Sequence, residues 1–325
     1  MKSLKTYYIL LLSCITMLQA TGNVNSVTKV ATAAANWLKL ETGTRAIGMG
    51  GAYTAIGKGI QGVPYNPASI SFIKNSEGFF SVTNYFAGIN YSVLGFATNM
   101  SGVDHAGVHI FALDSGDMDV TNEDYPDGTG EKFKMTALCL RGTYSKIITN
   151  RLRIGFTGKY IREQIYTTYM QTFAFDIGSN FDTGIFGMTL GMCISGFGPE
   201  GRYIGDGLDI IDGDTEDTQM ETQYFPMPLT FRVGLKNDVI NSDVNRLTIS
   251  MDAINPLDYE LYGTMGMEYT WRDLVFIRSG MHLGHDTAGF TFGGGVSWNN
   301  IALDFAYADY AILKSTWQAG LSFKF

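Results

Sequence analysis

The feature that most constrains this chain is a two-residue rhythm of apolar side chains that returns, segment after segment, from Gly78 to the last residue. Its clearest stretch places Tyr259, Leu261, Gly263, Met265, Met267, Tyr269 and Trp271 on one parity. Glu260, Tyr262, Thr264, Gly266, Glu268, Thr270 and Arg272 take the other. Successive side chains of a strand point to opposite faces, so each such segment carries one greasy and one polar surface. Leu247, Ile249, Met251 and Ala253 oppose Arg246, Thr248, Ser250 and Asp252 in the same way, and Ile301, Leu303, Phe305 and Tyr307 oppose Asp304.

The rhythm divides the chain into segments at 78–87, 89–100, 102–112, 130–147, 151–162, 166–180, 185–195, 223–236, 245–254, 260–271, 273–283, 287–298, 301–310 and 315–325, fourteen strands in all. The 7 prolines lie outside these segments or near the start of one, as a ladder of backbone N–H donors requires.

Alternation by itself also fits a soluble β-sandwich. Three further features favour an all-β, antiparallel transmembrane barrel. Tyr259 to Tyr269 would rise about 33 Å at ~3.3 Å per residue, leaving roughly 25 Å of height once tilted, which matches an apolar band between aromatic girdles. The two longest connections, 113–129 and 196–222, both follow odd strands, whereas most turns on the opposite side are tight, 237–244 being the exception. Long loops at one end and short turns at the other are the outer-membrane pattern. Finally, Gln318, Gly320, Phe323 and Phe325 are similar to the terminal assembly signal of outer-membrane proteins, an unpaired strand with one apolar face that insertion machinery can pair with.

Composition narrows the partners. With 45% hydrophobic and 13% aromatic residues the chain must fold rather than stay disordered, and its net charge of −8 argues against nucleic acid. The first twenty residues, with Lys2 and Lys5 ahead of an apolar run from Tyr7 to Leu18, read as a secretory signal peptide ending at Ala20; Cys14 could alternatively be a lipidation site. The expected division is a signal peptide over 1–20, a periplasmic or plug segment over 21–77, and a barrel over 78–325. Cys14, Cys139 and Cys193 offer no CxxC pair and no disulfide framework.

The segment ahead of the barrel has a different character. Gly43-Thr44-Arg45-Ala46-Ile47-Gly48-Met49-Gly50-Gly51-Ala52-Tyr53 is followed by Tyr65-Asn66-Pro67-Ala68-Ser69-Ile70. Glycines at 48, 50 and 51 permit close backbone packing or positive φ, and Asn66-Pro67 supplies a turn, which suits a segment tucked into a lumen. A dinucleotide-binding reading of the glycines fails, because no apolar strand precedes them.

Together with Phe225-Pro226-Met227-Pro228-Leu229-Thr230-Phe231-Arg232-Val233-Gly234 and Leu303-Asp304-Phe305-Ala306-Tyr307, this stretch resembles the PorV/PorQ family of outer-membrane barrels, similar in turn to the FadL-like transporters. The resemblance covers most of the chain after the signal. It departs at Gly57-Lys58-Gly59, where the family usually has acidic residues, and at Tyr65, where a Trp is common. It implies a plug and turn motif at Arg45, Gly48, Gly50, Gly51, Asn66 and Pro67.

Arg153, Lys159, Asp176, Arg232, Arg246, Asp252, Glu260, Glu268, Arg272, Arg278 and Asp304 are expected to face inward, since each cation on the lipid face would cost about 2 to 4 kcal/mol. Fourteen strands enclose more space than side chains alone fill at eight, so the lumen either conducts or is plugged. His282 and His285 are weighed as a metal pair and read instead as a pore-facing residue and its neighbour. Asp206, Asp209, Asp212, Asp214, Glu216 and Asp217 are weighed as a calcium loop, but they lack the EF-hand glycine and read as a solvated face. His105 and His109 lack the serine elbow of a lipase.

No catalytic, cofactor-binding or metal residue is therefore expected, and no cofactor. The expected location is the outer membrane. Two functions stand. The resemblance implies a non-enzymatic assembly, sorting or shuttle component of type IX-like protein secretion, with secretion-channel subunits or secreted proteins as partners. The alternative is a FadL-like transporter that passes a hydrophobic ligand through the barrel. Their discriminator is the lumen, because a transporter needs an apolar pocket near the plug.

Overall fold

The computed structural model describes residues 30–210, 218–219 and 222–325. The signal peptide expected over 1–20, Cys14, residues 21–29 and Asp212, Asp214, Glu216 and Asp217 lie outside these described residues.

Fourteen antiparallel strands form the wall: β1 (Ser76–Asn84), β2 (Asn90–Asn99), β3 (Asp104–Asp114), β4 (Met135–Ile147), β5 (Leu152–Ile165), β6 (Thr168–Asp182), β7 (Met188–Phe197), β8 (Thr230–Asn241), β9 (Asn245–Pro256), β10 (Tyr262–Trp271), β11 (Val275–Leu283), β12 (Phe290–Trp298), β13 (Ile301–Asp309) and β14 (Ser315–Lys324). Each strand pairs with the next in sequence. The sheet closes where β1 meets β14 in a register running from Glu77 opposite Lys324 to Asn84 opposite Trp317. Closure leaves no unpaired edge, which is what a barrel in hydrocarbon requires.

The alternation falls as the sequence predicts. Phe292 (56% exposed), Ile277 (61%) and Leu303 (61%) point outward, while Thr291, Arg278 and Asp304 on the same strands point into the lumen. An outer surface this apolar is stable only against lipid.

Several boundaries move for local reasons. The strand expected at 223–236 starts at Thr230, because Pro226 and Pro228 have no N–H to give the ladder, and Phe225 makes only an isolated bridge with Gly201. At its other end β8 runs on to Asn241 through a bulge between Asp238 and Ile240, so the connection expected over 237–244 shrinks to 242–244. All even-numbered strands thus end in tight turns. The strand expected from 130 begins at Met135, since Lys132–Phe133 pairs instead with Met118–Asp119 inside the long connection 115–134. Tyr259 and Glu260 precede β10 and lie in the 257–261 connection, and Arg272 occupies a turn at φ 52. Neither Glu260 nor Arg272 faces the lumen, and both are exposed.

The chain from 30 to 75 threads through the barrel from the long-loop end to the turn end. Its upper part holds a 3-10 turn over Asn36–Lys39, and just before that turn Ala34 N donates to Pro226 O of the long connection 198–229 at 2.9 Å. Helix α1 (Thr44–Gly48) crosses the middle against β11 to β14. A 3-10 turn over Pro67–Phe72 closes the turn end against β4 to β6.

Candidate functional site

The lumen has three storeys, each set by what the strands turn inward. At mid-height the wall presents a ring of charge: His109 and Arg141, Lys159 and Asp176, Arg232 and Asp252, Glu268, Arg278 and Asp304 are all buried or nearly so. Most of these groups are matched, whereas Arg232 lies over the Tyr65 ring with two of its guanidinium nitrogens buried and unbonded among the described residues. Arg141 Nη1 lies 3.0 Å from His109 Nδ1, and Lys159 Nζ lies 2.7 Å from Asp176. Glu268 holds two arginines, Arg45 of the plug through two hydrogen bonds of 2.6 and 2.7 Å and Arg278 at 2.6 Å, while Arg278 also bonds Asp304.

The plug is seated by backbone as much as by charge. Asp252 accepts from the Tyr53 and Thr54 amides at 2.9 and 2.8 Å. Asn66 caps the Pro67–Phe72 turn through Ala68 N, and its amide donates 2.9 Å bonds to the carbonyls of Thr54 and of Ser179 on β6. Gly48 meets Gly293 of β12 so closely that a Cβ on either would sit about 3 Å from the other's Cα. Gly50, at φ 62, leaves only 2.7 Å between a built Cβ and Met281 N, and Gly51, at φ 72, lies against the carboxylate of Glu41. At the terminus, Gln318 is buried and bonds Thr83 across the seam, Gly320 leaves room for Thr44, and Phe323 and Phe325 take the outward parity.

The long-loop storey is apolar. Tyr91, Val93, Phe111, Leu113, Ala137, Ile161 and Met170 line it, and the plug residues Ala34, Ala35, Trp37, Leu38 and Leu40 fill it, with Met227 and Phe225 of the long connection closing above. Trp37 stacks on Phe111 with centroids 5.4 Å apart, and its Nε1–H donates to Glu163 Oε2 at 2.7 Å. The pairing of Trp37 with Glu163 spans 126 positions, and no sequence pattern announces it.

The turn-end storey is open and charged. A cavity of about 850 Å³ lies below the plug, with Lys58, Lys236, Arg246 and Lys324 facing Glu77, Asp238 and Asp273. Lys236 pairs with Asp238 and Arg246 with Asp273, each at 2.8 Å. Lys58 makes no ion pair among the described residues and lies over the Phe72 ring. The surrounding wall, and then the neighbouring cations Lys236 and Arg45, push its ammonium down to about 8.

The weighed histidines have protein partners. His282 Nε2 lies 3.0 Å from Glu41 of the plug, and His105 Nε2 lies 3.1 Å from the Ile73 carbonyl. No group of three or more metal-ligating side chains gathers among the described residues.

No family model matches the chain, and no curated protein matches it. Solved structures do. The fold is similar to that of the Pseudomonas putida toluene transporter TodX. The match has a TM-score of 0.60 at 13% identity and covers 87% of this chain and 98% of TodX. A Pseudomonas aeruginosa FadL homologue matches with a TM-score of 0.56 at 12% identity, over 87% of this chain and 98% of that one. A TodX variant described as a monoaromatic hydrocarbon channel gives 0.60 at 13% identity, over 87% and 99%. At these identities the likeness is one of fold alone.

Proposed function

We propose that this protein is a non-enzymatic outer-membrane barrel that passes small hydrophobic molecules, with the segment 30–75 as its gate. One observation carries the reading. The long-loop half of the lumen is an apolar chamber, the feature such a transporter needs, and the chain's own plug fills it. The likeness to TodX and the FadL homologue supports the same side. The signal peptide, the outward apolar belt and the terminal strand ending in Phe325 support delivery to, and insertion in, an outer membrane, with lipid and the insertion machinery as partners.

The secretion reading suggested by the PorV/PorQ resemblance keeps one observation in its favour, the charged turn-end cavity, which is a poor path for an apolar molecule. Affinity isolation of the native protein from outer membranes, with mass spectrometry of proteins and small molecules together, separates the two. A retained apolar molecule without protein partners is the expected result, and stoichiometric secretion-channel subunits or secreted proteins would overturn it.

A further inference from the structure

The wall of the apolar chamber carries a carboxylate. Glu163 of β5 is only 5% exposed, and both of its carboxylate oxygens are engaged. Oε2 accepts from the Trp37 indole, and Oε1 accepts from the Tyr203 hydroxyl of the long connection at 2.7 Å. A carboxylate is costly to bury, so its place in an otherwise apolar chamber is tied to the donors it meets there. One of those donors belongs to the long connection. The other is a planar ring that arrives with the plug.

The ring sits as a ligand would. Its face lies 13° from parallel with Phe111, which in turn packs 5.2 Å from Tyr91, and its only polar atom, the Nε1–H, is aimed at Glu163. The segment presenting it is held under strain. Ala35, at φ 47, and Ala31, at φ 61, are both in the left-handed region that non-glycine residues avoid, and between Ala35 and Leu40 there is only a single 3-10 turn. Movement of this short turn would leave behind an aromatic slot with a carboxylate at its end.

We infer that Trp37 is a built-in surrogate for the transported molecule, and that the slot it occupies selects planar aromatic molecules carrying one hydrogen-bond donor, such as indoles and phenols. The inference rests on the reading of the barrel as a passage for hydrophobic molecules and deepens it by naming their class. A plain hydrocarbon that displaced Trp37 would strand the buried Glu163 oxygen, whereas a donor-bearing ring replaces the lost bond. A site built around a buried hydrogen-bonding group discriminates strongly against an isostere that lacks the donor.

The test uses the full chain in detergent and the near-isosteric pair phenol and toluene. With Trp271, Trp298 and Trp317 replaced by Phe, Trp37 is the sole tryptophan, and the quenching by acrylamide of its red-edge-excited emission reads its release. Phenol is expected to raise quenching at a concentration at least tenfold below toluene. Glu163→Gln should shrink that ratio towards one. In a Trp37→Ala variant, calorimetry should show indole binding at least tenfold tighter than in the unaltered chain. Equal effects of phenol and toluene, a preference indifferent to Glu163→Gln, or a Trp37 that stays protected at saturating phenol would overturn the inference. Uptake of either compound into proteoliposomes is scored separately. Passage of toluene without phenol preference sinks the slot alone, and passage of neither sinks the transporter reading.

Discussion

Arg45 of the plug and Glu268 of β10 form a two-pronged pair buried in the middle of the barrel, and Arg278 of β11 takes the same carboxylate from the other side. One acid thus ties the mobile candidate, the plug, to the fixed wall. Removing it leaves two guanidinium groups without their shared partner.

Glu268→Gln should therefore destabilise the folded barrel by about 3 to 5 kcal/mol, the range for breaking a buried pair. Denaturant unfolding of the detergent-solubilised protein measures this. Single-channel recording should show a higher conductance as the plug loosens, and an unchanged midpoint with unchanged conductance would refute the role.

Lys58 sets a pH dependence of definite sign. Its folded pKa of about 8 lies below the ordinary 10.5, so from about 8 to about 10.5 the unfolded chain holds a proton that the folded chain has released. Stability contributed by this group therefore rises with pH across that window. Unfolding midpoints of the parent and Lys58→Met, measured from pH 7 to 10.5, should diverge, the parent gaining more as pH rises. Parallel curves would mean that neither burial nor the neighbouring cations hold the Lys58 ammonium down.

Backbone contact makes Gly50 sensitive. A methyl group there meets the Met281 amide at 2.7 Å at a φ of 62, so Gly50→Ala should cost about 1 to 3 kcal/mol. Gly142→Ala, with nothing within 4 Å, should stay within about 0.5 kcal/mol. Thermal melting of both variants gives the comparison, and similar losses would show that plug seating does not depend on this contact.

Orientation in lipid can be read by labelling. Cysteines placed at Phe292 and Met265 should react with a membrane-soluble maleimide and resist a water-soluble one. The reverse pattern would place the lumen on the wrong face of β10 and β12.

How much of this was legible in the sequence depends on the range of the interaction. Wall and face were written in a period of two, because inside and outside alternate with every residue: Phe292 and Thr291 betray their faces before any fold is known. Loop parity and the Asn66-Pro67 turn are equally local. The bulge near Val239 is not legible because a bulge keeps strand composition while shifting register, and the strand expected from 260 starts at Tyr262 because the alternation continues past the last paired residue.

What the sequence by itself determined was a closed antiparallel wall of fourteen strands with charge inside, since a lipid-facing chain has no other way to satisfy its backbone while burying Arg232, Glu268 and Arg278. Only the tertiary structure decided which charge meets which, that the plug's Arg45 reaches Glu268, and that Trp37 lies in an aromatic slot beside Glu163. Those contacts join positions 223 and 126 residues apart, and their partners are chosen by barrel closure and the path of the plug, neither of which leaves a periodic trace in the chain.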